Sequence, residues 1–291
     1  MNMNMNNRCS VCFRKCVVQE GKKGFCGARI GRDGRMVSLN YGRISSIALD
    51  PIEKKPFRHF MPGSVILSVG SFGCNLRCPF CQNSSISWSE EAMNLAAVSR
   101  YMSPEELVSL AVDLESRGNI GVAFTYNEPV IGYEYVRDAS RLLHQHGLRS
   151  VMVTNGTASL SVLAELYGLV DAMNIDLKGF TDRYYRKVLK GDLEMCRNFI
   201  SEAVRMCHVE LTTLIVTGEN DSEEEIRKLS QWIAGLTDET GRIIGPGVPL
   251  HLTRFFPSFR MKDREASDVR NIYHLADVAR EYLEFVYTGN C

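Results

Sequence analysis

The chain has 291 residues, 45% of them hydrophobic, with Lys+Arg and Asp+Glu both at 34 and a formal net charge of zero. That length can bury a large core, such as one α/β barrel plus a small appendage, while the balanced charge gives no global footprint for nucleic acid or an anionic membrane surface. No apolar run approaches the roughly 18 residues a bilayer span needs, so the cytoplasm is the expected location, where clustered cysteines read as metal ligands more readily than as disulfides.

Residues 1–7, Met-Asn-Met-Asn-Met-Asn-Asn, are polar and of low complexity, lack the basic flank and apolar stretch of a secretory signal, and read as a disordered terminus. Cys9, Cys12, Cys16 and Cys26 follow at C-x2-C-x3-C-x9-C spacing, with Gly21, Gly24 and Gly27 to let the chain fold tightly. Four thiolates can close a site, which suits a structural zinc or an auxiliary iron–sulfur cluster equally well. Residues 36–50 then read as one or two strands before the turn Asp-Pro-Ile-Glu-Lys-Lys-Pro. Residues 8–63 do not fit the period that follows and are assigned to a small N-terminal Cys-rich β module.

From residue 64 to 291, β-branched or apolar runs recur between helical patterns. The runs are VILSVG (65–70), IGVAFTY (120–126), SVMVTNG (150–156), DAMNIDLKG (171–179), VELTTLIVTG (209–218) and PLHLTRFF (249–256). Helical stretches are expected at Ser103 to Arg117, Gly132 to His146, Leu160 to Tyr167, Asp182 to Met206 and Ser222 to Ala234. A last helix from Ala266 to Glu281 and a short strand near Phe285 to Thr288 close the pattern. This alternation predicts an α/β fold of parallel strands and crossover helices, a partial, TIM-like (β/α) barrel of about six units. In such barrels the reactive groups gather where strands end. Four successive predicted strands run into Cys74, into Asn127 and Glu128, into Thr154 and Asn155, and into Asp176 and Lys178.

Cys74, Cys78 and Cys81, in Gly-Cys-Asn-Leu-Arg-Cys-Pro-Phe-Cys, offer three thiolates from one short loop. Random placement of ten cysteines would give this spacing only about 0.01 times, so chance explains it poorly. A cubane iron–sulfur cluster takes one thiolate per iron, so three ligands would leave one iron open to a non-protein group. Zinc is the alternative, although no His lies between Cys74 and Cys81. Cys196, Cys207 and Cys291 fit no ligand pattern. Asp176 and Lys178 alternate with Leu177 and so face one side of a strand, with an internal salt bridge as the competing reading.

The C-x3-C-x2-C spacing with an aromatic before the last Cys resembles the signature of radical S-adenosylmethionine (SAM) enzymes. Together with GRISSIALDPIEKKPFRHFMPGS, FTYNEP, VTNG, DAMNIDLKGF, TTLIVTGEND and VYTGN, it resembles the AmmeMemoRadiSam system radical SAM enzymes, relatives of the pyruvate formate-lyase activating enzyme. The resemblance runs from about Cys9 to Asn290. Many members continue into a further Cys-containing tail, so any metal site there is expected to be absent or incomplete in a chain that stops at Cys291.

The resemblance implies a [4Fe-4S] cluster on Cys74, Cys78 and Cys81, with SAM chelating its fourth iron. Phe80 would lie beside the adenine or pack the loop as a core aromatic. Thr125 to Pro129 stand where relatives carry Gly-Gly-Glu-Pro against the methionine amino group, with Tyr126 and Asn127 in place of the glycines and Glu128 as the ammonium acceptor. Asn155 and Gly156 would approach the ribose and methionine carboxylate, unless they form only a turn. Asp176 would take ribose hydroxyls and Lys178 a carboxylate. His251 and Arg254 are weaker candidates for adenosine or substrate contact.

The activity implied is reductive cleavage of SAM to a 5′-deoxyadenosyl radical that abstracts hydrogen from an unidentified small molecule or protein. Its partner would be a low-potential electron donor such as flavodoxin or ferredoxin. Alternatives are activation of a glycyl radical enzyme, or an iron–sulfur redox carrier or sensor that never uses SAM.

Overall fold

The computed structural model describes residues 8–291, and the disordered terminus expected over residues 1–7 lies outside the described residues. Strands β1 (Arg29–Arg32) and β2 (Arg35–Ser38) form an antiparallel hairpin. Its turn residues Asp33 and Gly34 both hold positive φ, at 52° and 71°, the backbone that an Asp-Gly pair reaches most easily. β3 (Arg43–Ile44) leads to β4 (Ser46–Pro51) and β5 (Val65–Gly70), and β3 pairs with the later β6 (Arg100–Tyr101) in a small antiparallel ribbon.

The remaining strands are β7 (Asn119–Phe124), β8 (Arg149–Thr154), β9 (Ala172–Asp176), β10 (His208–Ile215), β11 (Leu250–Arg254) and β12 (Val286–Gly289). In the eight-stranded main sheet the spatial order from β4 through β5 and β7 to β12 is the chain order. β4 runs antiparallel to β5 and every other neighbour is parallel. Crossovers that always advance one strand the same way wind a sheet toward a barrel, whereas a doubly wound sheet reverses at a switch point. The expected α/β partial barrel is therefore present. β4 belongs to residues 8–63 by sequence and to the barrel sheet by hydrogen bonding, so the sheet itself joins the two regions.

Helices α1 (Ser84–Ser87) and α2 (Glu90–Val98) follow the cysteine loop, and sequence periodicity gives no sign of either. α3 (Pro104–Asp113) begins on a capping box between Ser103 and Glu106 with Pro104 in its first turn. α4 (Tyr133–Gln145) and α5 (Leu160–Glu165) cover the next crossovers. The stretch from Asp182 to Met206 breaks in two, a π-helical turn at Tyr184–Leu189 and then α6 (Leu193–Ala203). Between them Lys190 is left-handed at φ 55° and a Cβ on Gly191 would lie 2.7 Å from Leu76 Cδ2, so the break is where this segment meets the cysteine loop. α7 (Glu223–Ala234) and α8 (Val269–Arg280) start on Ser222 and Asp268 caps. No helix among the described residues is long and apolar enough to cross a membrane.

One end of the barrel is stoppered. Phe57, fully buried, packs with Ile52, Ile66, Ala123, Val151 and Ala172. The Arg58 and His59 backbone amides donate to Glu210 at 2.8 to 3.0 Å, and Asn174 Nδ2 donates to Pro56 O at 2.8 Å. The polar groups that β9 and β10 turn inward are thus satisfied by the plug, as buried polar atoms must be.

Candidate active site

The opposite end is open. Cys74, Cys78, Cys81, Phe80, Asn127, Glu128, Asn155, Asp176 and Lys178 line one cleft. They arrive from the carboxyl ends of β5, β7, β8 and β9, the face where a barrel can vary residues without disturbing its core.

The cysteine loop is held by its own backbone and by neighbours. Gly73 N donates to Ile86 O at 2.9 Å, Cys81 N to Cys78 O at 3.2 Å and Arg77 N to Leu189 O at 2.8 Å. The Arg77 guanidinium donates to the carbonyls of Cys74 and Leu76 at 2.8 and 2.7 Å, folding the loop around it. Gly73 takes φ 94°, and a Cβ there would lie 2.7 Å from both Ala28 Cβ and Cys26 O. Burial, followed by the nearby Glu128 carboxylate, pushes the Cys74 thiol well above its usual value, and burial pushes Cys78 up to about 12. Such thiols lose their protons only to a cation or cluster that takes them as ligands.

Among the described residues no group of three or more His, Cys, Asp or Glu side chains is drawn together tightly enough to hold a metal ion. The three cysteines instead border open space, an arrangement that fits a body with its own extent, with one thiolate to each of several irons.

Glu128 is 3% exposed. Its carboxylate accepts from Thr154 Oγ1 at 2.6 Å, Asn155 N at 2.8 Å and Val130 N at 3.1 Å. Burial raises its pKa to about 7 despite these donors. Of about four lone-pair sites on a carboxylate, three are used and about one is left for the cleft. Asn155 points its Nδ2 at Asn75 Oδ1, 2.9 Å away, and at Cys74 Sγ, 3.7 Å away, so it touches the cysteine loop directly. Lys178 Nζ and Asp176 Oδ2 form an ion pair at 2.9 Å. Burial disfavours the ammonium, but Asp176 overrides it and holds Lys178 above the ordinary lysine value.

Three expected contacts lie elsewhere or act differently. Asn127 braces its own loop: its Oδ1 accepts from Ser71 N at 2.8 Å and its Nδ2 donates to Gly73 O and Glu128 O, both at 3.3 Å. His251 sits at the stoppered end, bonded through Nε2 to Glu210 at 2.7 Å and stacked on Tyr287, outside the cleft. Arg254 donates to Ser267 O at 2.7 Å and lies over Phe256, also outside the cleft. Both were expected from their place on the last long strand, but β11 turns His251 toward the plug and Arg254 toward a loop. Phe80 is buried against Phe255 with its rings edge to face and also lines the cleft, so packing and cleft contact coexist.

Sequence reasoning assigned no role to Tyr126, Lys54, Asn83 and Thr253, which also line the cleft. Tyr126 is left-handed at φ 70°, and its hydroxyl donates to Asp50 Oδ2 at 2.8 Å, where Lys55 Nζ also binds at 2.9 Å. Burial opposes ionisation of Asp50, yet these two hydrogen bonds bring its pKa to about 2. A non-glycine residue where relatives carry glycine was the signal that a side-chain anchor replaces backbone freedom there.

The Radical SAM superfamily model matches residues 68–233. The chain is 36% identical over 286 residues to an uncharacterized protein of Methanocaldococcus jannaschii, covering 97% of this chain and 81% of that one. It is 24% identical to the pyruvate formate-lyase-activating enzyme of Clostridium pasteurianum, covering 73% of this chain and 89% of that one. In fold it is similar to a radical SAM methyltransferase from Sphaerobacter thermophilus, with a TM-score of 0.55 and 17% identity over 79% of this chain and 67% of that one. Members of this family are enzymes that use a [4Fe-4S] cluster and SAM. Cysteines, acidic and amide side chains gathered at the strand ends are what that chemistry requires, and the chain belongs to the radical SAM superfamily.

Proposed function

We propose that Cys74, Cys78 and Cys81 hold the [4Fe-4S] cluster and that Glu128, Asn155, Asp176 and Lys178 hold SAM beside it. The single observation that carries this reading is that all seven side chains line one cleft at the open end of the barrel. When bound, the cluster and SAM supply a 5′-deoxyadenosyl radical that abstracts hydrogen from a substrate held in the same mouth. The remaining free acceptor site of Glu128 takes the methionine ammonium, and Lys178, already charged by its pairing with Asp176, takes the carboxylate. Asp176 keeps one face for ribose hydroxyls. Phe80 gives the adenine an apolar wall. The plug around Phe57 excludes water from the far side.

The electron would come from a low-potential one-electron donor such as flavodoxin or ferredoxin. Calorimetry of SAM with anaerobically reconstituted protein tests the reading. Binding near one per chain, with 5′-deoxyadenosine formed on reduction, is expected. No binding would favour a plain iron–sulfur carrier or sensor.

Similarity to an enzyme that activates pyruvate formate-lyase supports a second reading, hydrogen abstraction from a glycine of a partner enzyme. A glycyl radical signal in electron paramagnetic resonance (EPR) after mixing with a candidate partner would select it over a small-molecule substrate.

A further inference from the structure

The N-terminal cysteines sit against the catalytic loop. Cys9, Cys12, Cys16 and Cys26 line one cavity, together with the apolar side chains of Val11, Met36 and Ile131. The knot closes on itself through Cys9 N to Cys16 O at 2.8 Å and Lys15 N to Cys12 O at 3.1 Å. It is fastened to the barrel where β8 leads into α5, since Ser159 N donates to Val11 O at 2.8 Å.

Its contacts with the cysteine loop are closer still. Cys74 N donates to Cys26 O at 3.2 Å, so a residue of the knot is hydrogen-bonded directly to the first cysteine of the loop. Arg14, between Cys12 and Cys16, donates from Nε and Nη2 to Asn75 O at 3.4 and 3.3 Å and also reaches Lys190 O. Arg77, inside the catalytic loop, reaches back to Phe25 O. The two cysteine sites thus share two arginines and one backbone hydrogen bond.

We propose that this knot holds a second iron–sulfur cluster, which feeds electrons to the Cys74 loop through the Cys26–Cys74 hydrogen bond. A mononuclear zinc would draw its four sulfurs to about 3.8 Å from one another, given Zn–S bonds of about 2.3 Å. The four thiols line one cavity, and among the described residues they form no group gathered about a single ion. A cubane places each thiolate on a different iron, so its ligands stand apart around it. Zinc would also be redox-inert at a position wired to a site that must receive electrons. The path runs from Cys26 Sγ along its own side chain and carbonyl, across the hydrogen bond, and through the Cys74 amide to Cys74 Sγ. One electron from a low-potential one-electron donor reduces the knot cluster, and the same electron leaves it for the loop, with no bond or proton exchanged. Arg14 and Arg77 offset the negative charge of the thiolates on both sides.

The wiring rests on the proposed function of the loop site, while the cluster itself is independent of it. The test uses full-length protein reconstituted anaerobically, in the natural form and with Cys74→Ala, Cys78→Ala and Cys81→Ala combined. The triple variant is expected to keep about four irons with matching sulfide, and to show a reduced-state EPR signal that SAM leaves unaltered. One zinc per chain without iron, or no metal at all, would overturn the cluster. In the natural protein, reduced and then freed of excess reductant, SAM is expected to erase the knot signal as well as the loop signal. Persistence of the knot signal after the loop signal has gone would overturn the wiring. Failure of the loop assignment shows separately, as an iron content in the natural protein no higher than in the triple variant.

Discussion

The Glu128 carboxylate receives the backbone amide of Asn155 at 2.8 Å, which fastens the loop after β7 to the end of β8 across the mouth of the barrel. The same Asn155 reaches the Cys74 side chain, so one acidic residue orders the strand-end loops and the cysteine loop of the cleft together.

SAM affinity should follow the charge of Glu128. Its pKa is raised to about 7, so the ionised form that accepts an ammonium is present above that pH and is lost as pH falls through it. Calorimetry on holoprotein is expected to give binding roughly tenfold weaker at pH 6 than at pH 8. A flat profile over that range would remove Glu128 from the ammonium site.

Cysteine variants should separate ligands from bystanders. Cys78→Ala is expected to lose the iron of the catalytic loop and to abolish 5′-deoxyadenosine formation, with the same outcome for Cys74→Ala and Cys81→Ala. Cys291→Ser, at an exposed position, is expected to leave both unchanged. Iron analysis and product chromatography read the difference. Unaltered cleavage in any of the three loop variants would contradict the ligand set.

Gly73→Ala should damage the site without touching a ligand. The left-handed φ of 94° disfavours any side chain, and the new methyl would press on the Cys26 carbonyl and on Ala28. A loss of about 1–3 kcal/mol in unfolding free energy is expected, with reduced iron loading at the loop. Normal loading and stability would show that the loop yields freely.

Glu210 and His251 should matter for stability and not for SAM. Burial raises the carboxyl pKa of Glu210, but His208, His251 and the amides of His59 and Arg58 outweigh it and hold the group far below the usual carboxylate range. A depressed acid adds stability that is complete above its unfolded pKa of about 4.3 and is lost as pH falls below it. Glu210→Ala is expected to cost about 3 kcal/mol or more at pH 7, because it strands several buried donors. His251→Ala is expected to lower stability by about 1–3 kcal/mol and leave the SAM dissociation constant unchanged. Weaker SAM binding in the latter would restore His251 to the cofactor site.

The strands and most crossover helices could be read because apolar periodicity and caps such as Ser103, Ser222 and Asp268 are local signals. The cysteine triplet and the polar residues after β7, β8 and β9 were legible because a parallel barrel sends all its strand ends to one face. What a side chain faces there depends on register and on distant segments. Asn127 was legible as a loop residue, but its amide turns inward to Ser71 and Gly73. His251 was chosen for lying on a late strand, and the partner that explains it, Glu210, is 41 positions away. The plug at Phe57 was hidden for the same reason, since its amides are satisfied by a carboxylate 152 positions further on. The π-helical turn at Tyr184–Leu189 follows from contact with the catalytic loop, and no local pattern announces it.

The Phe57 stopper makes the barrel a cul-de-sac. Whatever enters must back out by the door it used, so anything docked over the mouth would hold what lies behind it until it departs.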